Sequence, residues 1–149
     1  MKRHLKTIAG VTLLEIMLVL AVASMVIVMS IRYYQNAQNS ENTNIIMEEI
    51  QNIGAAADNL AQGTNSYSAI TTSTINAIAG SNNTTTPYGG TISISGQTGG
   101  NAYSVVIPSV PGPVCASLKS KLASNTKFTS VSGSCSGTGS VSYMYQVNS

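Results

Sequence analysis

Tryptophan is missing from the 149 residues, phenylalanine occurs once, and charged side chains make up only 8% of the chain. An ordinary soluble domain carries roughly 25% charged residues. Polarity in the second half rests instead on Ser, Thr, Asn and Gly. Such a surface suits packing against copies of itself, or exposure outside a cell. It lacks the cationic density that nucleic acid requires: Lys119, Lys121 and Lys127 are few and read as a solvated face. The one histidine is His4 and the one aspartate is Asp58. That leaves no Cys/His spacing for a zinc site and no serine with an obvious histidine base beyond the first residues. No glycine-rich phosphate loop follows a strand. No catalytic residue, metal ligand or cofactor site is expected, and the chain does not read as an enzyme.

Charge is also unevenly placed. The formal net charge is +2, but Lys2, Arg3 and Lys6 all precede Gly10. The rest sets Arg32 and the three lysines against Glu15, Glu41, Glu48, Glu49 and Asp58, which is close to neutral. A basic leader of this kind keeps the extreme N-terminus cytoplasmic. Cys115 and Cys135 are the two cysteines. In an oxidising compartment they pair as one disulfide; in a reducing one they are two buried thiols.

What the chain does have is a long apolar run, "VTLLEIMLVLAVASMVIVMSI", from Val11 to Ile31. It is long enough to cross a bilayer as a helix. A signal peptide is one reading, with "AVAS" at Ala21 to Ser24 as the cleavage site, but the apolar run continues past Ala23 to Ile31. A plain anchor is another, and it leaves Glu15 as an unexplained cost of roughly 2.5–3.5 kcal/mol near mid-membrane.

A third reading gives Glu15 a role. The segment Gly10-Val11-Thr12-Leu13-Leu14-Glu15, with basic residues before it and an apolar helix after it, resembles the processing site of type IV pilins. The resemblance implies cleavage between Gly10 and Val11, N-methylation of Val11, and an assembly role for Thr12, Leu13, Leu14 and above all Glu15, the fifth residue of the mature chain. The new amine at Val11 is positive near neutral pH. A carboxylate in an apolar setting is tolerated beside an opposite charge. The amine of a neighbouring subunit, or of the same chain, is that charge, and a single polar contact of this kind sets register in an apolar bundle. Implied partners are a prepilin peptidase and N-methyltransferase, sister subunits in a helical filament, an inner-membrane assembly platform and a secretin. Implied localisation is the inner membrane with the head in the periplasm, then an extracellular pilus. The absence of proline between Val11 and Asn59, Ile31-Arg32-Tyr33-Tyr34-Gln35, Pro87-Tyr88-Gly89-Gly90 and Cys115-Ala116-Ser117-Leu118 resemble the bundle-forming type IVb group. The small head and the short leader leave a minor pilin or a secretion-system pseudopilin as alternatives. A non-polymerising adhesin, secreted or anchored, is a further one.

The domain reading is a cleaved leader over 1–10, a hydrophobic helix over 11–38 and a globular head over 39–149. Ile46, Ile50, Ile53, Ala57 and Leu60 form one helical stripe, with Glu41, Glu48, Glu49, Asn52 and Asp58 off it. One long helix is therefore predicted from Val11 to near Gln62, with Gly63 as its C-cap and local melting over Ala37 to Asn44. Arg32, Tyr33 and Tyr34 suit a membrane interface. A short helix is predicted over Ser68 to Ala79, then a loop over Ser81 to Gly90. Alternation predicts strands at Thr91 to Ser95 and Asn101 to Ile107, ended by Pro108 to Pro113. A helix opens at Pro113, and strands follow at Lys127 to Ser132 and Ser140 to Val147. The fold class is α+β: a pilin fold, with a long helix on a roughly four-stranded antiparallel sheet and a disulfide-bounded C-terminal region.

Overall fold

The computed structural model describes residues 12–146, without the side chains of 81 and 82. Two compact units make up the chain, one up to Gln38 and the other from Asn39 onward. Helix α1 spans Leu13–Thr64. Its apolar first half has no proline to break it, and Thr12 opens it by accepting a hydrogen bond from the Glu15 amide at 3.4 Å. The polar stretch over Ala37 to Asn44 stays helical, against the expected melting. The end of α1 also differs from expectation. Gly63 lies inside the last turn, and Asn65 takes the left-handed conformation (φ 51°), its amide returning to the Ala61 carbonyl at 2.6 Å. Asparagine is the residue other than glycine that most readily fills this position.

In the second unit α1 turns Ile46, Ile50, Ile53 and Ala57 inward, as the stripe predicts; Leu60 is half-buried, and Ala56 and Ala61 are buried beside it. Glu49, expected off the stripe, is instead buried. It stands one turn from both Ile46 and Ile53, so the buried arc includes it.

Helix α2 spans Thr72–Ala79 and starts later than expected. Thr71 caps it: its side chain accepts from the Thr74 amide, and the Thr74 hydroxyl accepts from the Thr71 amide. This reciprocal arrangement fixes the first turn. Residues Ser81–Thr84 form a 3₁₀ turn inside the expected loop.

Four strands make one antiparallel sheet: β1 (Ser93–Gly96), β2 (Ala102–Pro111), β3 (Phe128–Gly133) and β4 (Thr138–Gln146), in the order β1-β2-β4-β3. Alternation works as read. Ile92 and Ile94, then Tyr103, Val105 and Ile107, then Val141, Tyr143 and Tyr145 all point into the core. Val147 lies outside the described residues. One expectation fails: Pro108 does not end β2. The ladder with β4 shifts register between Ile107 and Val110, with Ser109 at φ 60°, and resumes as far as Pro111 opposite Thr138. A bulge is where a proline fits a ladder, and β1 pairs with β2 only as far as Val106.

Helix α3 spans Gly112–Ala123, with Pro113 in its first turn and Val114, Cys115, Leu118 and Leu122 buried. Cys115 is bonded to Cys135 in the β3–β4 connection, with Cα atoms 5.5 Å apart. Lys119 donates to the Gly133 carbonyl at 3.1 Å, tying α3 to the end of β3.

Candidate functional site

Two regions concentrate chemistry that a fold alone does not require. The first is the start of α1. Every large apolar side chain from Leu13 to Ile31 is at least 50% exposed. A continuous apolar surface of this extent does not persist in water; it marks a membrane or a protein partner. By length and composition this is a helix able to cross a membrane, a test that a signal sequence also meets. Its hydroxyls are compatible with apolar surroundings: Ser24 donates to the Ala21 carbonyl and Ser30 to the Val26 carbonyl, both at 2.8 Å. Tyr33 and Tyr34 are exposed further along, and the Tyr34 hydroxyl accepts from Gln38 at 2.8 Å.

Glu15 lies in the first turn, exposed, among Leu13 and Leu14. A carboxylate there faces the positive end of the helix dipole. Thr12 and Glu15 stand three apart, at the positions of a capping box, and the threonine half of the motif is formed. The sequence pattern T-x-x-E could have shown this. Gly10 and Val11, the expected cleavage and methylation site, lie outside the described residues.

The second region is the far end of α1, which the sequence did not reveal. Asp58 is half-buried and accepts hydrogen bonds from the Tyr67 phenol at 2.8 Å and the Tyr145 phenol at 3.5 Å. Tyr145 stacks on Tyr103 with ring centroids 5.0 Å apart, and Tyr67 lies 5.7 Å from Tyr103. Gly96 makes this possible. A methyl there would run into the carbonyl oxygens of Tyr67 and Ser68, so only glycine lets that segment lie across the β1–β2 hairpin. The Tyr67 amide then bonds the Gly100 carbonyl at 2.8 Å. Burial, then the Asp58 carboxylate, pushes the Tyr67 and Tyr145 phenols above their usual pKa, making them harder to ionise. Both phenols therefore remain donors to Asp58.

Among the buried polar groups, Glu49 has an oxygen, Oε2, with no hydrogen-bond partner, and Tyr103 and Tyr143 have hydroxyls in the same condition. Burial, with Glu48 adding to it, pushes the Glu49 carboxyl up to about 7. Lys121, by contrast, is engaged, donating to Asn44 at 2.8 Å.

Comparison with protein-family models and with curated proteins finds no match. What the chain shares with pilins is architecture: a long N-terminal apolar helix whose second half packs on a four-stranded antiparallel sheet, and a disulfide near the C-terminus.

Proposed function

We propose that this chain is the precursor of a structural subunit of a type IVb-like pilus. In this reading a prepilin peptidase cuts after Gly10 and the new N-terminus at Val11 is methylated. The apolar helix holds the subunit in the inner membrane with its head in the periplasm. The assembly platform then withdraws it, and sister helices bundle as the filament core while heads tile the surface and leave through a secretin. The chain is a building unit and not a catalyst.

The observation that carries the reading is the first half of α1: wholly exposed, apolar from Leu13 to Ile31, and charged at one place, Glu15. Those side chains need an apolar surrounding, and burying them is worth on the order of 20 kcal/mol. A bilayer supplies it before assembly and a bundle of sister helices afterwards. Glu15 costs free energy in either place unless a cation neutralises it, and the methylated amine of the adjoining subunit is such a cation.

The mass of the mature chain tests the processing step. Loss of residues 1–10 with gain of one methyl group is the expected result; loss of residues 1–23 assigns the segment to a signal peptide and overturns the reading. Glu15→Val tests the assembly step. The variant is expected to insert in the membrane at wild-type level and to form few or no fibres by electron microscopy. Normal piliation would remove the pairing mechanism.

A further inference from the structure

The end of α1 borders a pocket of about 470 Å³, lined among others by Asp58, Gln62, Asn65, Tyr67, Asn101 and Tyr145. It lies within the unit that begins at Asn39. Three features set its chemistry. Asp58 is the one charged residue among the described residues of the lining, and each of its oxygens accepts a single phenol, leaving further lone pairs unused. Gln62, Asn65 and Asn101 are exposed, and their carboxamides make no hydrogen bond among the described residues. Tyr67 and Tyr145 form an aromatic wall held in place by Asp58 below and Tyr103 behind.

This combination matches a polyhydroxylated ring. Adjacent hydroxyls donate to a carboxylate, and carboxamides both donate to and accept from the remaining hydroxyls. The carbon face of the ring packs on a tyrosine, giving the mix of apolar wall and few polar groups typical of small-ligand sites. The volume falls within the roughly 300–1,000 Å³ of such sites. A calcium ion is less well served, since it takes about six to eight oxygens with several carboxylates among them. An acidic sugar is disfavoured by Asp58, with no cation among the described residues of the lining to offset it.

We propose that this pocket binds the terminal residue of a neutral saccharide, with Asp58 accepting from its hydroxyls and Gln62 and Asn101 selecting among them. The site stands independently of the filament reading, because it is built wholly within the head.

The test uses the full chain purified in detergent, titrated with galactose, glucose, mannose, N-acetylglucosamine, sialic acid and calcium chloride, and followed by NMR of the protein. At least one neutral sugar is expected to saturate, and sialic acid to leave the spectrum unchanged. Gln62→Ala and Asn101→Ala, both at exposed positions that leave the core intact, are expected to weaken binding about tenfold each, the loss of one well-made hydrogen bond. Asn59→Ala, outside the pocket, is expected to bind like wild type. Absence of saturation by every neutral sugar overturns the proposal. So does binding that survives both pocket substitutions, or a response to calcium alone.

Discussion

At the scale of single residues, three polar groups among the described residues of the head are buried without partners, and two of them have a measurable consequence. Glu49 is the strongest case. Its folded carboxyl titrates at about 7, against 4.5 for an ordinary glutamate, because burial and then Glu48 disfavour the charge. Between those two values the folded chain holds a proton that the unfolded chain has released. Stability therefore falls as pH rises through that window, and the loss is complete above it. Glu49→Gln is expected to abolish this slope and to exceed wild type above neutrality by on the order of 1–2 kcal/mol, solvent screening reducing the full effect of the shift. Urea midpoints of the full chain in detergent, measured from about pH 4 to about pH 9, check it. Tyr143 is simpler: its hydroxyl is buried with nothing to bond. Tyr143→Phe is expected to be neutral or to stabilise by up to about 1 kcal/mol, since it removes a desolvated group and no hydrogen bond. The same denaturation measurement decides it.

At the scale of elements, most of the fold was legible because two periodicities are strong here. The four-and-three spacing of Ile46, Ile50, Ile53 and Ala57 marks the buried side of α1, and alternation marks β2 and β4. What stayed hidden depends on neighbours in space. Glu49 reads as a surface charge until the helix is laid on the sheet. Pro108 reads as a strand end unless the bulge at Ser109 is known. Of the candidate site, the T-x-x-E spacing of Thr12 and Glu15 held the helix cap, and the cysteine pair was legible. The Asp58 cluster was not, because Tyr67 and Tyr145 approach it from places 9 and 87 residues away. Gly54, in the middle of α1, offers a test at this scale. A methyl there would meet the Tyr103 hydroxyl at an ordinary 3.7 Å. Gly54→Ala is expected to stabilise the head by about 0.5–1 kcal/mol through helix propensity and the unfolded chain's lost freedom, read as a raised urea midpoint.

At the scale of the whole molecule, the disulfide closes a stretch of 20 residues that contains most of α3 and all of β3. The paired substitution Cys115→Ala with Cys135→Ala is expected to cost about 3 kcal/mol, read by denaturation with and without reductant. Loss of that difference between oxidised and reduced wild type would show that packing of Val114, Leu118 and Leu122 holds α3 without the bond.

The strand order carries a last implication. The final strand in sequence, β4, is not at an edge; it slots between β2 and β3 and bonds to both. Until it arrives, two bonding rims stand open and the floor of the hydrophobic interior has a gap where Val141, Tyr143 and Tyr145 belong. A nascent head cannot finish folding before β4 is delivered. Delivery of β4 is thus a condition for becoming compact, and a product terminated before it betrays itself to proteases by its own unfinished edges.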